Sequence, residues 1–162
     1  MKFYSEINSL NMTISCLDKD ITYKEYDIPL GTSSYKYFVP KGTYYISFTK
    51  DGYNGTYTFS SKLSNMTKSR VSSVKNLKGK QAKVTWAKKA DADGYQIQIA
   101  TNKKFTKNKK TQTYSGNYIN NYTFTKLKKG KTYYARVRTY KFVGGKRYYS
   151  DWSSVKKVKI AK

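Results

Sequence analysis

Tyr134, Arg136, Arg138 and Tyr140 alternate with Tyr133, Ala135, Val137 and Thr139 along one uninterrupted run. An extended chain sends successive side chains to opposite faces, so rings and guanidinium groups share one side and the smaller or apolar groups the other. Phenolic rings beside guanidinium groups can stack on sugars and bond their hydroxyls or acidic groups. They do not supply a proton shuttle. The chain contains no His, which excludes imidazole metal ligation and His-based triads. Its single Cys, Cys16, cannot close an internal disulfide, and its phase with Met12 and Ile14 predicts a small core hydrophobe rather than a reactive thiol. In the second half only Asp91, Asp93 and Asp151 carry carboxylates. Calcium wants about six to eight oxygens, and Asp91 and Asp93 flank Ala92 as ordinary loop residues. Neither a Gly-rich phosphate loop nor a Ser nucleophile elbow is present. The expectation is therefore no catalytic residue, no metal and no cofactor.

The charge is uneven. Residues 1–68 hold eight Lys against six acids, a net of +2, whereas residues 69–162 hold 25 Lys+Arg against three acids, a net of +22. Lys outnumbers Arg 29 to 4, and a hydrated point charge serves diffuse attraction better than planar, bidentate recognition. Runs at 103–104, 107–110, 128–131 and 156–159 concentrate it. Such lysines can keep strand edges from pairing or recruit an anionic polymer, and +22 exceeds what solubility of so small a unit requires.

Tyr, present 18 times, must supply much of the core, which favours strands over helices, and no helical stripe is visible. No apolar run is long enough to cross a membrane as a helix, and the first six residues lack an apolar signal core. Either the protein is cytosolic or it is a piece of a longer exported chain. From the start, Phe3/Ser5/Ile7, Met12/Ile14/Cys16, Tyr35/Tyr37/Val39, Tyr44/Ile46/Phe48 and Tyr57/Phe59 each mark one side of an expected strand. Pro40-Lys-Gly42, Asp51-Gly52 and Asn54-Gly55 punctuate them as turns. The segments Phe38-Val-Pro-Lys-Gly-Thr-Tyr-Tyr-Ile-Ser-Phe48 and Gly55-Thr-Tyr-Thr-Phe-Ser-Ser-Lys-Leu63 resemble the bacterial pre-peptidase C-terminal domain. That resemblance implies a small β-sandwich over residues 1–63, short for the family and as if truncated, carried as an accessory to secreted enzymes and surface proteins.

Residues 64–70 are polar and unpatterned and read as a linker. From Val71 to the end, ~90 residues suit a seven-stranded immunoglobulin-like sandwich. Val71 and Val74 suit strand A, and Ala82-Lys-Val-Thr-Trp86 suits strand B with Trp86 in the core between the sheets. Gly94-Tyr-Gln-Ile-Gln-Ile-Ala100 is strand C, burying Tyr95, Ile97 and Ile99 with Gln96 and Gln98 outward. Residues 110–115 form a C′ strand, residues 122–127 lead into a corner, the alternating run 133–140 is strand F with Tyr133 and Val137 inward, and Val155, Val158 and Ile160 mark strand G after a Gly144-Gly145 turn. Val-Thr-Trp86, Gly94-Tyr-Gln-Ile-Gln-Ile, Leu127-Lys-Lys-Gly130 with Tyr133, and Tyr149-Ser-Asp-Trp-Ser153 resemble a fibronectin type III domain, in the Lys- and Tyr-rich form of Gram-positive surface proteins. The resemblance implies that the Tyr133 hydroxyl bonds backbone near the corner. Lys129 stands where the family usually has Pro.

The fold class expected is all-β, a fibronectin type III sandwich over 71–162 behind a smaller antiparallel sandwich. Gln96, Gln98, Tyr134, Arg136, Arg138, Tyr140, Lys157 and Lys159 should share the outer face of strands C, F and G as a candidate ligand-binding surface, and Trp152 should stack on Arg136 or Arg138. The expected role is a non-catalytic accessory or spacer module, extracellular or wall-associated and monomeric as a fragment. Its expected partner is an anionic polysaccharide or cell-wall polymer. The alternatives are adhesion to a specific surface protein or glycan through the C-F-G face and, further off, sequence-blind nucleic-acid attraction. No membrane insertion is expected.

Overall fold

The computed structural model describes residues 2–5, 10–16, 19–29, 31–35, 37–40, 42–49, 57–60 and 66–161. They form fourteen strands and no α-helix. The chain divides into two compact units, one of Met1–Ser64 with Val143–Lys146, the other of Asn65–Phe142 with Arg147–Lys162.

The first unit has β1 (Lys2–Ser5), β2 (Leu10–Cys16), β3 (Ile21–Ile28), β4 (Gly31–Ser34), β5 (Tyr45–Thr49) and β6 (Tyr57–Ser60). They pair as two antiparallel sheets in the orders β4-β1-β6 and β3-β2-β5. Along β2 the period-two pattern buries Leu10, Met12, Ile14 and Cys16, the last as the small apolar residue expected. Leu10, Met12, Ile14 and Ile28 form the core, joined by half-buried Tyr23, Tyr37, Tyr44, Ile46 and Phe48.

Two strand expectations need correction. Tyr35, Tyr37 and Val39 do not form a strand; the local strand is β4, and Tyr35 and Tyr37 reach the core from irregular chain. Strand β3 was not expected, because its inward positions include Tyr23 and Glu25. Those groups are satisfied internally: the Tyr23 hydroxyl donates to Phe38 O at 2.5 Å and that of Tyr37 to Glu25 Oε1 at 2.6 Å. Burial, reinforced by Glu25, raises the Tyr37 phenol far above its ordinary value. Ile7 and the Asp51-Gly52 and Asn54-Gly55 turns lie outside the described residues.

The second unit has β7 (Val71–Leu77), β8 (Gln81–Trp86), β9 (Gly94–Ala100), β10 (Lys110–Ser115), β11 (Asn121–Phe124), nearly all of β12 (Thr132–Val143) and β13 (Lys146–Tyr149), whose end residues Val143 and Lys146 count with the first unit, and β14 (Lys156–Lys159). One sheet runs β11-β8-β7; the other runs β10-β9-β12-β13, with β14 also on β12. Both contribute to one core that holds Trp86, Tyr95, Ile97, Leu127, Tyr133 and Val137. The Trp86 indole is 1% exposed and tilts against Tyr95 at 5.6 Å. Its Nε1–H is buried and has no hydrogen-bond partner among the described residues. At the corner the Tyr133 hydroxyl accepts from Lys128 N at 3.1 Å, and Gly130 takes a φ of +68° that a side chain would resist.

Strand G also departs from expectation. It splits into β13 and β14, and Val155, between them, is 41% exposed. The break is bridged by serines: Ser150 Oγ and Ser153 Oγ accept from Thr139 N and Val137 N at 3.1 Å each, doing for β12 what strand carbonyls would do.

Candidate functional site

The outer face of the larger sheet is built by register. Arg136 lies opposite Gln98 and Arg138 opposite Gln96 between β12 and β9, while Gln98 lies opposite Thr111 and Gln96 opposite Thr113 between β9 and β10. Two polar rows result. Arg136 donates through Nε and Nη2 to Gln98 Oε1 at 3.0 and 2.7 Å, and Gln98 Nε2 donates to Thr111 Oγ1 at 3.2 Å. Arg138 repeats this with Gln96 at 2.9 and 2.6 Å, and Gln96 Nε2 reaches Thr113 Oγ1 at 3.3 Å.

Above these rows the guanidinium planes interleave with rings. Arg136 is 4.0 Å from the Phe105 centroid and 4.1 Å from that of Trp152; Arg138 is 4.3 Å from Trp152 and 3.8 Å from Tyr149. The contacts run Phe105, Arg136, Trp152, Arg138, Tyr149, with one indole shared by two like charges. Trp152 is held there because Ser150 and Ser153 clamp the chain on either side of it, Ser150 N donating to Thr139 O and Ser153 N to Val137 O. Burial lowers both arginine pKa values, and the Arg138 charge lowers that of Arg136 further. Stacking on ring faces offsets that cost, since the negative face of an aromatic ring replaces water as the counter-field.

All eight candidate residues lie on this face. Lys157, opposite Tyr134, and Lys159, opposite Thr132, are exposed, and Tyr134 is half-buried. Gln98 is only 8% exposed because Arg136 lies across it. Tyr140 is a correction: it is 2% exposed and so presents no contact surface on the open outer face. Its ring lies over Gly94, meets Tyr149 edge-on at 5.9 Å and pairs its hydroxyl with Ser115 Oγ at 3.0 Å. Beside it a cavity of about 310 Å³ is lined by Asp93, Ser115, Tyr140, Phe142 and Arg147. Asp93 is engaged by Lys141 Nζ at 2.9 Å and Phe142 N at 2.8 Å. No group of three or more potential metal ligands occurs among the described residues.

Phe105, Thr111 and Thr113 complete the face and were not singled out from the sequence, while Tyr149, Ser150 and Ser153 were quoted only for the family resemblance. The alternation of Thr111 and Thr113 and the Ser-x-x-Ser frame around Trp152 were the available signals.

Residues 67–156 match the family described as Fibronectin type III domain. None of the curated proteins matches the chain in sequence. Among solved structures, the crystal structure of chicken CNTN1 FN1-FN3 domains aligns over 95% of this chain at 16% identity with a TM-score of 0.50; the chain spans 54% of that structure's length. The solution structure of the third fibronectin III domain of human KIAA0343 protein aligns over 68% of this chain and 94% of its own, at 18% identity and a TM-score of 0.46. At these identities the first likeness speaks for the fold alone.

Proposed function

The chain belongs to the fibronectin type III family, and on that premise we propose that it is a non-catalytic accessory or spacer module of a secreted or wall-associated bacterial protein, held near anionic wall or extracellular polysaccharide by its basic surface. The observation that carries this reading is the charge: +22 over residues 69–162, supplied mostly by lysine side chains that stand in solvent. The arginine face favours a structural role over a docking role, because each guanidinium is bonded to its glutamine and enclosed by rings. The pre-peptidase-like pattern of the first unit fits the same setting. Co-sedimentation with purified Gram-positive cell walls tests it. Binding at low salt that fades at moderate salt is expected, since exposed charges are screened over ~10 Å at 0.1 M. No binding at either salt overturns the polymer-binding half and leaves the spacer.

A further inference from the structure

The lysines are not spread evenly over the second unit. Leu77 lies opposite Gln81, Ala82 opposite Phe124, and Ala100 opposite Tyr134, so three connections leave the strands at one end: the β7–β8 turn at 78–80, the β9–β10 loop at 101–109 and the β11–β12 corner at 125–131. Hydrogen bonds join them. Leu127 N donates to Lys80 O at 2.9 Å, and Lys110 Nζ donates to Thr125 O at 2.5 Å and Lys126 O at 3.3 Å. These three segments contain ten lysines and no acidic residue. The unit's only carboxylates, Asp91, Asp93 and Asp151, lie toward the other end, where Gly94 pairs with Tyr140 and Ser150 bonds Thr139.

The longest of these segments is ordered by its own contacts. Asn102 Oδ1 accepts from Thr106 N and Lys107 N at 3.0 Å each, Thr101 N donates to Lys107 O at 3.0 Å, and Phe105 is buried beneath Arg136 despite a φ of +56°. Lys103, Lys104, Lys107 and Lys109 therefore project into solvent from a fixed frame. None of them is needed to hold that frame, and gathering like charges costs stability that a bound polyanion returns.

We propose that this lysine-bearing end of the unit is the docking surface for an acidic polysaccharide; the proposal rests on the polymer-binding reading above and adds where the polymer is held. The chemistry favours uronate chains over nucleic acid or lipid. Phe105, Phe124 and Tyr133 at this end are buried and Tyr134 is half-buried, which leaves no fully exposed ring for base stacking, and none of the three segments contains Arg for bidentate phosphate recognition. Leu77, 38% exposed, is too little apolar surface to enter a bilayer. Hydrated lysines matched to spaced carboxylates need no desolvation to attract them.

The test uses the full chain, immobilised polygalacturonate and two charge-matched triple variants at exposed lysines. One is Lys104→Glu, Lys107→Glu, Lys129→Glu; the other is Lys68→Glu, Lys88→Glu, Lys146→Glu. The first should weaken binding about tenfold or more and the second less than about threefold, because screening confines the effect to charges near the polymer. Equal losses overturn the localised surface and leave diffuse attraction standing. Failure of the unmodified chain to bind polygalacturonate at low salt while it still binds cell walls overturns this proposal alone, and failure with both overturns the polymer-binding reading as well. Tighter binding to single-stranded DNA or to anionic vesicles at the same salt overturns the choice of polysaccharide.

Discussion

The guanidinium of Arg136 lies 4.1 Å from the centroid of Trp152, and that of Arg138 lies 4.3 Å from the same indole. A single ring system thus serves two cations that would otherwise repel each other in a partly desolvated site.

Removing the ring should therefore cost more than its own burial. Trp152→Ala is expected to destabilise the second unit by about 3 kcal/mol, from two cation–π contacts of ~0.5–2 kcal/mol each plus lost apolar contact. Trp152→Phe should retain roughly half of that. Urea unfolding followed by circular dichroism measures both. Equal costs for Ala and Phe would overturn the stacking account, because a phenyl ring should recover part of both the cation–π and the apolar contact.

Trp86 presents the opposite case, a buried indole whose N–H is unpaired. Trp86→Phe removes that donor along with part of the ring, so the expected cost is below about 2 kcal/mol, against ~3–5 kcal/mol for Trp86→Ala. The comparison of the two unfolding midpoints decides it.

Gly94 has no room for a methyl group. A Cβ there would fall 2.6 Å from the Tyr140 ring and closer still to Tyr114 O, which is backbone and cannot swing aside. Gly94→Ala should cost more than about 2 kcal/mol, and adding Tyr140→Ala should not rescue it. Thermal melts of the single and double variants provide the check.

Alkaline titration should separate buried from open phenols. Burial raises the pKa values of Tyr23, Tyr37, Tyr95 and Tyr114. The unfolded phenol releases its proton near pH ~10 while the folded one keeps it, so this stabilisation is complete below pH ~10 and is lost as pH rises toward the folded values. Phenolate absorbance of the folded protein should lag that of the urea-unfolded chain above pH ~10. Coincident curves would refute the burial.

Much of the second unit was legible because its signals are local. The spacing of Leu127, Gly130 and Tyr133 marks a corner, and Tyr95, Ile97 and Ile99 mark a buried face. Stacking of Trp152 on Arg136 and Arg138 could be anticipated for the same reason. What alternation does not convey is what lies on top of a face. Tyr140 has the outward phase of Arg138, yet Tyr149 and Arg147 cover it from β13. The engagement of Gln96 and Gln98 depends on the register of three strands, which separate connections set. In the first unit, β3 escaped notice because a carboxylate and a phenol occupy inward positions, their partners on irregular chain rather than on a paired strand.

The strand pairing of the second unit also has a mechanical consequence. Val71, at the start of β7, pairs with Trp86, whereas Lys159, at the end of β14, pairs with Thr132, so the unit's two ends leave at opposite extremes of the sandwich. Pulling on them draws β7 past β8 and β14 past β12 lengthwise. The hydrogen bonds of each pair are then strained in parallel and must fail nearly together, which suits a link that transmits tension without lengthening.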